Sequence, residues 1–298
     1  MPANSTPAKI LLQLDVDTHP SSFDGVVAVD AGVAHLFQYG NVEPSYVESL
    51  IHGAIFTRGG DDLKSTAVFI GGSDVNQAEL VFDAVKKAFF GPVRVSVMLD
   101  ASGCNTTAAA AVATASKHVP LTGATAVVLG GTGPVGRRVG QMLARQGSQV
   151  ILTSRTLKRA EAACNDIAAK VQDAKLEAAA PEDDEAKVDL LQRAQIIIAC
   201  GAAGVELLSA DELNQLGQLR VAIDLNAVPP AGIGGIEAFD KAKPLNPDQE
   251  RSPILYGPIG VGGLKMRTHK AAIAKLFQSN TEVIDANEIY DLTLQQMK

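Results

Sequence analysis

Apolar and polar positions alternate along this chain in blocks that predict strands and helices in turn. Ile10 to Val16 reads as a strand ending in Asp15-Val16-Asp17. Pro20 and Ser21-Ser22 supply a turn and a helix start, Phe23 to Ala34 reads as a helix, and Pro44 opens another through Phe56 at a favourable first-turn position. Thr66 to Ile70 is a continuous apolar run closed by Gly71-Gly72. After it Ala78, Val81, Phe82, Val85 and Phe89 form a single helical stripe. Gly91-Pro92 stops that helix, Val93 to Leu99 is the next strand, and the Ala-rich stretch Thr106 to Ser116 predicts a connecting helix. A second alternating block follows, with strands at Ala126–Leu129, Gln149–Leu152, Ile196–Ala199 and Arg220–Asp224. Helices are expected after Gly133, over Thr156–Val171, and from the acidic run Pro181 to Glu185, where the helix dipole favours carboxylates. Such alternation predicts an α/β chain with parallel sheets. It comprises an N-terminal α/β domain and a Rossmann-type doubly wound domain with a boundary near residue 120.

Composition narrows the function classes. The chain has 298 residues, 46% hydrophobic and 20% charged, a globular balance with enough length for real cores. Its formal charge of −7 makes it a poor general polyanion binder, so nucleic acid is not an expected partner. Cys104, Cys164 and Cys200 match no metal or disulfide spacing, which points to a reducing, cytoplasmic compartment and no metal. No apolar run reaches the length of a membrane span, and Met1–Pro7 lacks the apolar region of an export signal.

The sharpest motif is Gly131-x-Gly133-x-x-Gly136 (Gly131-Thr132-Gly133-Pro134-Val135-Gly136), because it follows a short apolar strand and opens an amphipathic helix. Gly131 is expected to make the turn, Gly133 to let the backbone approach a pyrophosphate, and Gly136 to let helix and strand pack closely. An NAD site would end its second strand in an acid. This chain instead reads Thr153-Ser154-Arg155-Thr156-Leu157-Lys158-Arg159, so Ser154, Arg155 and Lys158 are expected on a 2′-phosphate and the cofactor is read as NADP, with NAD possible. Gly201 and Asn226, just beyond later strands, are candidates to line the nicotinamide, and Lys265 follows a further glycine-rich turn. In the first domain, polar residues cluster after strands: Asp17 and Ser21 after the first, and Asp100, Asn105, Thr106 and Thr107 after the third. These are candidate substrate contacts. The histidines are isolated, and no hydrolase triad is present.

Several segments together, in order from about residue 10 to the C-terminus, resemble the bacterial NAD(P)-dependent methylene-tetrahydromethanopterin dehydrogenases. They include Thr57-Arg58-Gly59-Gly60, Lys86-Lys87-Ala88-Phe89-Phe90-Gly91-Pro92, Asn105-Thr106-Thr107-Ala108-Ala109, Asn226 to Ile236 and Gly260-Val261-Gly262-Gly263-Leu264-Lys265. The resemblance implies an N-terminal substrate domain completed by C-terminal helices that return to it (1–119 with 267–298), an NADP domain (120–266), a homo-oligomer, and a tetrahydromethanopterin-type carrier of one-carbon units as partner. It also implies oxidation of the methylene to the methenyl carrier. Hydride loss there leaves a cation stabilised by the pterin nitrogens, so no general base is expected and catalysis rests on positioning. On that chemistry Asp17 or Asp100 would stabilise developing positive charge, and Lys265, matching the family's lysine, would orient substrate. The alternatives are a methylene-tetrahydrofolate dehydrogenase, a shikimate-dehydrogenase-like oxidoreductase, and a non-enzymatic NADP-sensing regulator.

Overall fold

The computed structural model describes residues 7–297; the Met1–Thr6 part of the segment read above for an export signal lies outside it. The chain divides into two compact units. One runs through Thr106 and resumes over Met266–Gln296; the other spans Thr107–Lys265.

The first unit is a five-stranded, all-parallel sheet. In chain order its elements are β1 (Ile10–Asp15), α1 (Ser22–Asp30), β2 (His35–Tyr39), α2 (Pro44–Ile55), β3 (Thr66–Gly71), α3 (Val75–Lys87), β4 (Ser96–Leu99) and the start of α4 (Cys104–Ala115). The central strands β3 and β4 are buried along their whole length, which is why they read as unbroken apolar runs. α3 starts where the Asp74 carboxylate accepts from the Gln77 amide at 3.1 Å, and it buries Val81, Phe82 and Val85. The helix expected over Phe23–Ala34 stops at Asp30; Gly32 turns the chain with φ +88° and β2 follows. That strand lies at the sheet edge and is mostly exposed, so it carries no buried run to reveal it.

The second unit contains β5 (Thr125–Leu129), α5 (Pro134–Arg145), β6 (Gln149–Thr153), α6 (Leu157–Ala168), β7 (Lys175–Ala179), α7 (Asp184–Leu191), β8 (Ile196–Ala199), α8 (Ala210–Asn214), β9 (Val221–Asp224), β10 (Lys241–Pro244), β11 (Ile254–Tyr256) and the first part of α9 (Pro258–Lys275), up to Lys265. Its strand order is β10-β11-β9-β8-β5-β6-β7. Leaving aside the antiparallel edge strand β10, that is the doubly wound order of dinucleotide-binding sheets. Val127, Ile197 and Ala222 from the central strands join Leu208, Leu213 and Ile233 in one core. β12 (Val283–Ile284) and α10 (Ala286–Gln295) complete the first unit, with β12 pairing in parallel with β4. Its sheet order is therefore β12-β4-β3-β1-β2. This is the flavodoxin-type order, whose reversal point lies between β1 and β3.

Candidate functional site

In the second unit the glycine-rich turn joins β5 to α5. The left-handed residue is Gly130 (φ +69°), not Gly131, and a Cβ on Gly130 would lie 2.7 Å from the Gly201 Cα. Gly131 and Gly136 instead allow close packing: a Cβ on Gly136 would sit 2.7 Å from the Gly131 Cα and 2.8 Å from the Gly130 carbonyl oxygen. Gly133 is the N-cap of α5, makes no side-chain cap, and has nothing closer than 3.9 Å to its missing Cβ. The helix N-terminus is thus open to an anion, with Pro134 at its first turn and Thr132 and Val135 half-buried beside it.

Around this turn lies a cavity of about 570 Å³, walled by Thr132, Gly133, Ser154, Arg155, Arg159 and Gly201 among others. Thr156, the N-cap of α6, makes no side-chain cap, and the first turn of that helix holds no acid. Arg155, Lys158 and Arg159 are exposed, and among the described residues none has a carboxylate partner. Unpaired cations at a helix N-terminus are unfavourable unless an anion joins them. The cavity wall includes Arg155, which was expected on the phosphate, and Arg159, which was not, and leaves out Lys158, which was. An open glycine N-terminus, a donor-lined cavity and unpaired guanidinium groups fit a dinucleotide with a phosphorylated ribose.

Asn226 has another role from the one expected. The Asp224 carboxylate accepts from the amides of Asn226 (2.9 Å), Gly232 (2.7 Å) and Ile233 (3.2 Å). Burial pushes the Asp224 pKa up against those bonds. Asn226 then donates to the Pro230 carbonyl at 3.1 Å and accepts from the Val228 amide at 3.0 Å, closing a loop that contains the cis Pro229–Pro230 peptide. Its carboxamide therefore braces the loop and does not line the cavity. Cys200 does line it, and burial raises its thiol pKa so that the neutral thiol persists. Lys265 is half-buried on α9 and engaged with its surroundings.

In the first unit the polar strand ends divide into two networks. Asp15 is fully buried and accepts from the amides of Asp17 (2.9 Å) and Ser21 (3.0 Å). Asp17 reaches across to the loop after β3, accepting from the Ser73 amide at 2.9 Å and its hydroxyl at 2.8 Å. It therefore ties together the two loops of the β1/β3 reversal point, which is a positioning role rather than the charge-stabilising one expected. Ser21 caps α1.

Asp100 corrects the expectation more sharply. It is 0% exposed and accepts from the amides of Asn105 (2.9 Å) and Thr106 (3.1 Å) and from the Thr106 hydroxyl (2.6 Å). Asn105, also buried, donates to the Leu99 carbonyl at 2.7 Å and to Asp285 at 3.0 Å. Asp100, Asn105 and Thr106 thus form a capping network at the start of α4 and offer no free group to a substrate; of this set only Thr107 is partly exposed. Arg58 is likewise structural, donating to the carbonyls of Ser65 (2.7 Å) and Ala8 (3.0 Å). Among the described residues no group of three or more His, Cys, Asp or Glu is placed to hold a metal, and no helix is long and apolar enough to cross a membrane.

A doubly wound sheet with this cavity, in a chain that also carries a flavodoxin-ordered unit, defines a Rossmann-type NAD(P)-dependent oxidoreductase. Solved structures of a 5-ketofructose reductase from Gluconobacter (15% identity, TM-score 0.52, covering 99% of this chain and 100% of that one) and a shikimate 5-dehydrogenase from Listeria monocytogenes (14%, 0.52, 96% of each) share this fold. Residues 22–102 match the family described as methylene-tetrahydromethanopterin dehydrogenase, N-terminal. The chain is 45% identical over 286 residues to the bifunctional protein MdtA of Methylorubrum extorquens, covering 95% of this chain and 97% of that protein. It is 31% identical over 296 residues to the NAD(P)-dependent methylenetetrahydromethanopterin dehydrogenase of the same organism, covering 96% and 98%. The chain belongs to the methylene-tetrahydromethanopterin dehydrogenase family.

Proposed function

We propose that this protein oxidises methylene-tetrahydromethanopterin to the methenyl form in one-carbon metabolism, with NADP as the hydride acceptor. The observation that carries the reading is end-to-end similarity, 31% over 98% of its length, to a relative named for that reaction. The choice of NADP over NAD is supported by Arg155 and Arg159, which line the cavity without carboxylate partners where an NAD site would hold an acid.

The second unit (Thr107–Lys265, where 120–266 was expected) serves as the NADP domain, and the first unit (through Thr106 with Met266–Gln296, where 1–119 with 267–298 was expected) as the substrate domain. When bound, the nicotinamide supplies the hydride-accepting carbon. The chain's part is to hold and orient. The α5 N-terminus and Gly133 take the pyrophosphate, Ser154, Arg155 and Arg159 take the 2′-phosphate, and Gly201 lines the same cavity. In the first unit Asp17 fixes the loops at the β1/β3 reversal point, where a ligand of an open parallel sheet binds. Lys265 orients the substrate, since a cation would not stabilise a cationic product. No side chain is needed to remove a proton, because the substrate loses hydride and its own nitrogens carry the resulting charge.

The enzyme works in the cytoplasm, a reading supported by three cysteines that form no disulfide. It works as a homo-oligomer, supported by an exposed apolar stripe on α1, where Phe23, Val26 and Val29 are 50%, 62% and 61% exposed. The test is coenzyme reduction followed at the NADPH absorbance band, with methylene-tetrahydromethanopterin and methylene-tetrahydrofolate each offered with NADP and NAD. Reduction with the methanopterin substrate and NADP is expected. Cofactor binding without turnover of either carrier overturns the reading.

A further inference from the structure

We propose that a pocket beside the β1/β3 reversal point reads the amino–oxo pyrimidine edge of the pterin, with Glu43 and Gln77 as the recognition residues. The proposal rests on the pterin-substrate reading above and deepens it.

The pocket measures about 440 Å³ and is lined by Val16, Asn41, Val42, Glu43, Pro44 and Gln77. That volume falls in the range of small-molecule sites, about 300–1,000 Å³. Three strand ends converge on it. Val16 follows β1, Asn41 to Pro44 join β2 to α2, and Gln77 lies in the first turn of α3, which follows β3. Ligands of open parallel sheets bind beyond such carboxyl ends.

Its loop is held firmly. Asn41 adopts φ +51° and donates its amide to the Asp17 carbonyl at 2.8 Å, while its side-chain oxygen accepts from the Thr18 hydroxyl at 2.9 Å. The Val42 amide donates to the Asp15 carbonyl at 3.0 Å. Gly40 is required there, because a Cβ would lie 2.3 Å from the Thr18 carbonyl oxygen.

Two side chains on this frame have no internal job. Glu43 is the N-cap of α2 but forms no cap, and among the described residues its carboxylate has no hydrogen bond or ion pair. The Gln77 carboxamide is equally unengaged; only its backbone amide is used, by Asp74. A carboxylate offers two coplanar acceptors, which match the adjacent amino and ring N–H donors of an aminopyrimidinone. A carboxamide can donate to the neighbouring ring carbonyl. Val16, Val42 and Pro44 supply hydrocarbon for the flat faces of the ring. The carboxylate of Glu43, with no cation among the lining residues, would repel a phosphate, so the pocket suits the neutral heterocycle rather than an anionic tail.

The test uses the full chain, with Glu43→Gln and Gln77→Ala compared with the parent. Both sites are exposed, so folding should survive. Glu43→Gln is expected to raise the KM for methylene-tetrahydromethanopterin by about tenfold, with kcat and the NADP KM within about twofold. Gln77→Ala is expected to shift the same constant in the same direction. An unchanged pterin KM in Glu43→Gln, or an equal rise in the NADP KM, overturns the proposal. If the parent fails to turn over the substrate, the functional reading fails on its own, and a fluorescence titration with pterin then decides the pocket. Saturable quenching by the parent that is lost in Glu43→Gln supports it; no quenching by the parent overturns it.

Discussion

Removing either guanidinium of the basic run after β6 should weaken the preference for NADP over NAD rather than disable the enzyme. Arg155 and Arg159 line the cavity next to an uncapped helix N-terminus and have no carboxylate to neutralise them. A charge-assisted hydrogen bond is worth about 1.5–3 kcal/mol when shielded. Both side chains are exposed, so solvent screening lowers that figure to about 1–2 kcal/mol each, or roughly 5- to 30-fold in kcat/KM for NADP. NAD lacks the 2′-phosphate, and its kcat/KM should change less than about twofold on the same arithmetic. Because both arginines would share one phosphate, the double variant should lose less than the product of the single losses. Lys158→Ala, outside the cavity wall, serves as the control and should shift the NADP/NAD ratio by less than about twofold. The assay is steady-state kinetics with both coenzymes at low and moderate salt, where the parent's NADP KM should rise with ionic strength. Equal losses for NAD and NADP, or a Lys158→Ala effect as large as that of Arg159→Ala, would refute the reasoning.

Three further outcomes follow from the geometry. Asp100→Ala strips acceptors from two amides and a hydroxyl at the start of α4, so it should cost on the order of 3 kcal/mol in urea unfolding; a stability within error of the parent would deny its capping role. Lys265→Ala should lower kcat while leaving the NADP dissociation constant, read by fluorescence titration, unchanged; unchanged turnover would remove Lys265 from the site. His118 bonds the Tyr256 hydroxyl at 2.9 Å, and burial together with neighbouring Lys117 lowers its pKa below 6.5. The unfolded chain therefore takes up a proton first as the pH falls, so stability should decline below about pH 6.5 and level off beneath the folded-state pKa. His118→Gln should flatten that part of the Tm-versus-pH curve, and an identical slope in both proteins would count against the assignment.

Much of this was legible in the sequence because the informative residues are local. The buried central strands β3, β5 and β8 announce themselves as short apolar runs, since both faces are covered. The glycine turn and the basic run after β6 are likewise contiguous, and from them came the doubly wound fold and the phosphorylated dinucleotide. The strands that went unread are mainly edges. β2 and β12 close the first sheet, and β7 and β10 close the second; all are short or exposed, so no hydrophobic pattern marks them. What a polar side chain does at a strand end is also settled elsewhere in the chain. Asp17, Asp100, Asn105 and Asn226 read as ligand contacts because they are polar and well placed. Yet Ser73, Thr106, Asp285 and Pro230 occupy their hydrogen-bonding groups, and those partners are brought up by the fold. Glu43 and Gln77 show the converse: unremarkable in sequence, they line one pocket only because three strand ends meet there. By itself, then, the sequence determined the layered architecture and the cofactor class, since periodicity and turn chemistry are short-range properties. The tertiary structure alone decided which polar groups brace the loops and which are left for a ligand, because burial and hydrogen-bond partnership depend on residues far apart in the chain.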